Sequence, residues 1–170
     1  MHKYTSILFL AVLLFVGLAG CTGSSTTEPL DTPELQLTAE GPLYGGANSS
    51  TATWEFDLVQ LLGEGKKEIS EARITSVEVL LVGVDSLPAM EKMVFEVTSK
   101  NTPMTRIGLY EGKIIPGQPF ILTIADVQEN LAAAFADGKM TFVGDFDLID
   151  EEYNGNIAFT LKVKFDLGIK

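Results

Sequence analysis

The sequence predicts an all-β fold, an antiparallel two-sheet sandwich, from three observations. Apolar and polar residues alternate along most of the chain after position 33, which is the period of a strand with one buried and one exposed face. Turn-forming pairs such as Pro116-Gly117 and Asn154-Gly155 separate the alternating segments. About 150 residues follow the apolar N-terminal stretch, enough for one domain with a sizeable core. We therefore predict a single domain over residues 34–170.

The first strands are predicted at 35–38 and around Trp54, Phe56 and Leu58, where apolar residues occupy every second position. Trp54 lies on the apolar face of its strand, so a core position is favoured over a sugar-stacking platform. Between these strands, the stretch 40–50 is rich in glycine and polar residues, and we predict a loop there.

The segment 73–84 differs from the others because apolar residues occupy both of its faces towards its C-terminal end. Such a strand must be covered on both sides. Further strands are predicted at 93–98, 106–114, 120–124, 139–148 and 157–169. The last of these has the cleanest alternation, and the total is about seven or eight strands.

One segment, 126–137, departs from the alternation and predicts a short helix. Asp126 followed by Glu129 is a helix-start signature, and Leu131 lies on the apolar face that follows. Gly138 ends the pattern.

Strands of this length, joined by short turns and one helix, favour an immunoglobulin-like sandwich. A small closed barrel that could hold a ligand inside is the alternative. Both architectures produce the same alternation, so the pattern alone does not separate them.

The N-terminus has the three regions of an export signal. Lys3 precedes an apolar run from Ile7 to Leu18, and small residues precede Cys21. The apolar run, about a dozen residues, is short for a membrane span, which needs roughly 20. This segment, ending in Leu18-Ala19-Gly20-Cys21, resembles the signal peptide and lipobox of prokaryotic lipoproteins.

The resemblance implies that residues 1–20 are a signal peptide, removed before Cys21, and that the Cys21 thiol carries a diacylglyceryl group. Two or three acyl chains hold a soluble domain stably at a membrane, since each buried methylene contributes about 0.8 kcal/mol. The protein would then be lipid-anchored, facing the periplasm or the cell exterior. Small, polar and proline-punctuated residues at 21–33 predict a flexible tether.

Composition excludes several kinds of catalysis. The only histidine, His2, lies in the signal peptide, and the only cysteine is Cys21. The mature chain therefore lacks the imidazole and free thiol that catalytic triads and Cys/His zinc sites need. We expect no enzyme activity and no cofactor.

The formal net charge of the chain is −11. A field of this sign repels phosphate groups, so no nucleic-acid partner is expected.

The densest polar cluster comprises Asp145, Asp147, Asp150, Glu151 and Glu152, placed at a strand end and in the loop before Asn154-Gly155. Converging carboxylates bind calcium, which makes Asp145, Asp147, Asp150 and Glu152 candidate ligands. Their spacing does not match a helix–loop–helix calcium loop. A solvated acidic hairpin is the favoured interpretation.

The pattern Asn48-Ser49-Ser50 fits the N-glycosylation acceptor, although a match this short arises often by chance.

These observations favour a non-catalytic binding or structural module on a membrane surface, with a protein or glycan as its partner. One alternative is a barrel that carries an apolar ligand or lipid, which needs an internal cavity. The other is an accessory subunit of an envelope complex, which needs a docking edge or apolar patch.

Overall fold

The computed structural model describes residues 26–65, 68–83 and 87–170, with the side chains at 149–151 outside that description. Within these ranges the chain forms ten strands and two short helices. The strands are β1 (Thr26–Asp31), β2 (Leu35–Ala39), β3 (Leu43–Glu55), β4 (Ile69–Val82), β5 (Met90–Thr98), β6 (Thr105–Ile114), β7 (Pro119–Ile121), β8 (Thr123–Ile124), β9 (Lys139–Tyr153) and β10 (Ile157–Ile169). The helices are α1 (Leu58–Leu62) and α2 (Ala132–Ala136).

All ten strands belong to one antiparallel sheet. Nine of them follow the order β7-β4-β10-β2-β3-β9-β5-β6-β8, and β1 pairs with β10 beside β2. The first half of β10 pairs with β2 and its second half with β1, so these two short strands together line one edge of β10.

A single segment brings the two ends of this sheet together. β7 pairs with β4, and β8, which follows β7 after one residue, pairs with β6. The Leu122 amide donates to the Val77 carbonyl at 3.0 Å, and the Ala125 amide donates to the Ile107 carbonyl at 2.8 Å. The sheet is therefore nearly closed into a barrel.

The prediction of an all-β antiparallel fold is confirmed. The immunoglobulin-like sandwich topology is not, because the strands form one continuous sheet. The difference lies in β7 and β8, which are too short for the alternation pattern to show that they pair with different neighbours.

The antiparallel register defines two ends of the barrel. At the basal end, β1 begins, β10 finishes and β4 begins, with Thr26 paired to Ile169 and Ile169 to Ile69. The β3–β4, β5–β6 and β8–β9 connections also lie at this end. The apical end carries the β2–β3, β4–β5, β6–β7 and β9–β10 connections.

Phenylalanine side chains fill the interior. Six are fully buried: Phe95, Phe135, Phe142, Phe146, Phe159 and Phe165. Trp54 is 4% exposed, and its ring lies 6.1 Å from that of Phe165. The predicted core position of Trp54 is confirmed.

The N-terminal part of the domain differs from the predicted tether at 21–33. Thr26–Asp31 forms strand β1, paired with β10 along its whole length. Just after it, the Thr32 amide donates to the Val163 carbonyl at 2.9 Å, and the Val163 amide donates to Thr32 Oγ1 at 3.1 Å. Proline and acidic residues suit an edge strand, which needs partners on one side only, and their presence made this strand look like a linker.

The predicted loop at 40–50 is wrong over most of its length, because β3 begins at Leu43. Its register against β9 shifts between Tyr44 and Gly46, where Gly46 adopts a φ of 93°. Glycine permits this left-handed conformation inside a strand, and its abundance here made the segment look like a loop.

The helix predicted at 126–137 is reduced to the five residues of α2. Before α2, the side-chain amide of Gln128 donates to the Ile74 carbonyl at 2.8 Å and accepts from the Ile74 amide at 3.1 Å. Asn130 makes the equivalent bonds to the Ser70 carbonyl and the Ala72 amide, at 2.9 and 3.0 Å. These side chains make the hydrogen bonds to β4 that a neighbouring strand would make. They hold the segment before α2 against the sheet in a non-helical conformation.

Helix α1 replaces the end of a predicted strand. The strand around Trp54, Phe56 and Leu58 finishes at Glu55, and Asp57 caps the helix that follows. Asp57 Oδ1 accepts from the amides of Val59 and Gln60 at 2.7 and 3.2 Å. Aspartate at an N-cap satisfies amides that have no partner within the helix.

Candidate functional site

A surface cleft of about 530 Å³ lies between β5, β6 and β9 in the apical half of the barrel. It is lined by Glu91, Lys92, Glu111, Gly112, Lys113 and Asp147.

The cleft lies where two ladders lose their regular register. The β5–β6 pairing shifts between Met90 and Lys92, and the β5–β9 pairing shifts between Met90 and Met93. Glu91 and Lys92 are both exposed, although they are adjacent in a strand. Bulges of this kind redirect side chains and occur frequently beside functional sites.

Gly112 shapes the β6 wall of the cleft. Its φ of 148° is one that L side chains rarely adopt, and an added Cβ would lie 3.1 Å from Tyr110 Oη. A larger residue would therefore strain the backbone at this wall.

The cleft combines three carboxylates with two ammonium groups. Among the described residues, no carboxylate lies within 4.0 Å of the ammonium of Lys92 or Lys113. Both lysines can therefore bind a carboxylate or phosphate supplied by a ligand.

The predicted calcium ligands are not brought together. Asp145 and Asp147 lie two residues apart on the outer face of β9, and the Ser49 hydroxyl donates to Asp145. Glu152 is seven positions beyond Asp145 in the same strand, which places them about 20 Å apart. Calcium holds its ligands at about 2.3–2.6 Å, so Asp145 and Glu152 cannot share one ion. No group of three potential metal ligands occurs in the part of the chain that the structure describes.

The prediction of an acidic hairpin is also wrong. β9 continues to Tyr153, and it is separated from β10 by β2 and β3 in the sheet order. The Asn154-Gly155 turn is therefore a crossover between distant strands, and its backbone approaches Gly41 so closely that a Cβ there would meet the Gly155 carbonyl at 2.6 Å. The side chains of Asp150 and Glu151 lie outside the described residues.

Asn48 of the glycosylation pattern binds the backbone of β3 where the register against β9 shifts. Its Nδ2 donates to the carbonyls of Tyr44 and Gly46 at 2.8 and 2.9 Å. An amide that satisfies the backbone in this way is a poor acceptor for a glycan, because modification replaces one of the two Nδ2 hydrogens and removes at least one of these bonds.

At the basal end, Asp137 ties the β5–β6 connection to the end of α2. Its carboxylate accepts from the Ser99 hydroxyl at 2.6 Å, from the Asn101 amide at 2.8 Å and from Asn101 Nδ2 at 2.5 Å. The hydrogen bond from Ser99, followed by that from the Asn101 backbone, lowers the pKa of Asp137 below its ordinary value of 3.8.

Lys139 and Glu55 form an exposed ion pair beside this connection, with Nζ 2.7 Å from Oε1. The hydrogen bond and charge of Lys139 lower the pKa of Glu55. Exposed pairs contribute little to stability, so we assign this pair no functional role.

Helix α1 is the most exposed apolar element of the basal end. It contains no buried residue, and Val59 is 59% exposed. Leu58, Leu61 and Leu62 pack partly against the core beneath them.

The sequence singled out only one residue of the cleft, Asp147. The other charged residues were missed because the cleft depends on the register of three strands far apart in the chain. One signal was present: Glu91 and Lys92 interrupt the alternation between the buried Met90 and Met93, as a bulge does.

The predicted lipidation residue Cys21 and the signal peptide lie outside the described residues. None of the helices that the structure describes is long and apolar enough to cross a membrane.

No protein-family model matches the chain, and no curated protein matches it. Among solved structures, the chain is similar to one from turnip yellow mosaic virus, with 12% sequence identity and a TM-score of 0.32. The alignment covers 88% of this chain and 84% of that one. A similarity at this level carries no argument about function.

Proposed function

We propose that this protein is a lipoprotein, held at a membrane by acyl chains on Cys21 and facing the periplasm or the cell exterior, and that its barrel is a non-catalytic binding module. The observation that carries the proposal is the position of the cleft between β5, β6 and β9. The cleft opens in the apical half, whereas Cys21 precedes β1 at the basal end. A ligand therefore reaches the cleft from solvent while the anchor holds the opposite end.

The charges of the cleft define the partner. Lys92 and Lys113 suit acidic groups, and the neighbouring Glu91, Glu111 and Asp147 suit basic groups. A protein segment or glycan that carries charges of both signs is complementary to this arrangement.

Two observations support binding at the surface over catalysis or over transport of a lipid inside the barrel. No histidine or cysteine follows Cys21 in the sequence. The six buried phenylalanines occupy the interior that a lipid carrier would keep open for its cargo. Native mass spectrometry of the domain purified from its own host tests the carrier alternative, since a retained lipid would favour carriage.

Replacement of Cys21 tests the anchor. We expect Cys21→Ser to abolish incorporation of labelled fatty acid and to leave the protein either soluble or as an uncleaved precursor. Unchanged lipid labelling of this variant would refute the lipoprotein assignment.

Charge reversal tests the cleft. The lipidated protein, extracted in mild detergent, should retain a stoichiometric partner that the double variant Lys92→Glu, Lys113→Glu loses. Lys164→Glu is the matched control, because Lys164 is exposed on β10 away from the cleft. Equal recovery of the partner with both variants would contradict binding at the cleft, and it would favour docking of an accessory subunit through another surface.

A further inference from the structure

Only four residues separate the proposed anchor from the folded domain. Cys21 is the anchor position, and β1 begins at Thr26. Five Cα-to-Cα steps span at most about 18 Å when fully extended. The start of β1 must therefore stay within that distance of the acyl chains.

Thr26 belongs to the basal end and is held there by the sheet. It pairs with Ile169, and Ile169 pairs with Ile69. At the edge of the same end, the amides of Lys170 and Glu68 each donate to the other's carbonyl, at 3.0 and 3.4 Å. β1 therefore does not move independently of the barrel, and restraint of Thr26 restrains the whole basal end.

Helix α1 lies at this end with Val59 exposed, while Leu58, Leu61 and Leu62 pack partly against the core. It follows Phe56, whose amide donates to the Gly138 carbonyl at 3.0 Å, and whose ring lies 5.4 Å from that of Phe135. The ring of Phe135 in turn lies 5.1 Å from that of Phe165, in the basal half of β10. Four of the five residues of α1 are leucine or valine, and none is buried.

We infer that the basal end of the barrel rests on the bilayer that holds the anchor, with the exposed Val59 of α1 contacting the lipid interface. This inference depends on the proposed lipidation of Cys21. It fixes the orientation of the protein, with the cleft between β5, β6 and β9 facing away from the membrane.

The short link to the anchor selects lipid over another occupant. A separation of at most about 18 Å between Thr26 and the anchor keeps the basal end within reach of the bilayer, so lipid is the partner that the chain itself brings to this end. The link also keeps α1 at a high effective concentration at the interface, which makes a weak apolar contact sufficient.

Charge gives the contact a lipid preference. The net charge of the chain is −11, so anionic headgroups repel the protein as a whole, and we expect contact that is stronger on zwitterionic than on anionic bilayers. Close to α1 the charges are mixed, since Lys66 and Lys67 lie between Glu64 and Glu68 in the sequence.

Single-cysteine labelling tests the orientation directly. The Cys21 sulfur of the lipidated protein is a thioether, so an introduced cysteine is the only thiol. Val59→Cys and Met104→Cys place a fluorophore at the basal end, where these residues are 59% and 57% exposed. Tyr44→Cys and Ile115→Cys are matched controls, because both residues are exposed at the apical end.

The full-length lipidated variants would be reconstituted into phosphatidylcholine vesicles that contain a lipid with a nitroxide headgroup. We expect several-fold stronger quenching of the two basal labels than of the two apical labels. Thermal melts would verify that each labelled variant keeps the parent's fold.

Equal quenching at the two ends, or stronger quenching at the apical end, would overturn the inference. Membrane association of the same samples is scored separately and compared with Cys21→Ser. An anchored protein with equal quenching contradicts the orientation alone, whereas incorporation of labelled fatty acid that survives Cys21→Ser contradicts the anchor itself.

Discussion

Single side chains at the basal end connect loops that the sheet does not hold, and Asp137 is the clearest case. Its carboxylate accepts three hydrogen bonds from Ser99 and Asn101, which lowers its pKa below 3.8. A carboxyl with a depressed pKa contributes stability above its unfolded pKa, and that contribution is lost as the pH falls through the folded value.

We therefore expect Asp137→Asn to lower the melting temperature at neutral pH. The difference from the parent should shrink below about pH 4, because the parent's carboxyl is then protonated as well. Melts across this pH range measure the effect, and Asp126→Asn is the control, since Asp126 is exposed nearby. A difference that does not depend on pH would mean that the carboxylate charge has no part in holding the loop.

A substitution of Phe165 tests the packing of the core, again with a single side chain. It is fully buried between Trp54 and Phe135, with ring centroids at 6.1 and 5.1 Å. We expect Phe165→Ala to lower the free energy of unfolding by about 3–5 kcal/mol in denaturant titrations, while Val59→Ala leaves it nearly unchanged. A loss below about 1 kcal/mol would place Phe165 outside the packed core.

Among the elements, β1 has the composition of a linker and yet pairs with β10 along its whole length. Thr32, just beyond it, is buried and its hydroxyl accepts from the Val163 amide. We expect Thr32→Val to cost about 1–3 kcal/mol of stability, since that amide loses its partner. Thr27→Val is the control, because Thr27 is exposed in β1. Equal stability of the two variants would mean that the hydrogen bond between Val163 and Thr32 does not help to hold this part of the chain on β10.

The segment before α2 allows a second prediction about a single element. Gln128 binds both backbone groups of Ile74, and its neighbour Val127 is 89% exposed. Gln128→Ala should therefore destabilise the protein by about 1–3 kcal/mol, and Val127→Ala should not. If both variants unfold at the same denaturant concentration, the side-chain amides do not replace a strand.

Sequence periodicity predicts the elements whose stability comes from burial on one face. β10 alternates throughout because every second side chain enters the core, and its boundaries match the predicted 157–169. Residues 126–131 were mispredicted because side-chain amides supply hydrogen bonds that hydrophobic periodicity does not register.

For the whole molecule, closure of the sheet decides between a sandwich and a barrel, and local pattern does not contain that information. It depends on Leu122, where one short segment changes partner from β4 to β6. The charged cleft also depends on the tertiary structure, since β5, β6 and β9 meet only after the sheet has formed. Asp147 could be singled out from the sequence. Lys92 and Lys113 could not, because only the register of β5, β6 and β9 brings them together in the cleft.

The pairing of β1 with β10 has a consequence for how the protein acquires its fold. Thr32 and Val163 are 131 residues apart in sequence, and the contacts between these two strands close nearly the whole chain into a loop. Such a high contact order slows folding and postpones it until β10 has been synthesised. A nascent chain that still lacks β10 leaves β1, β2 and β4 without their shared partner, so the barrel cannot close before that last strand is available.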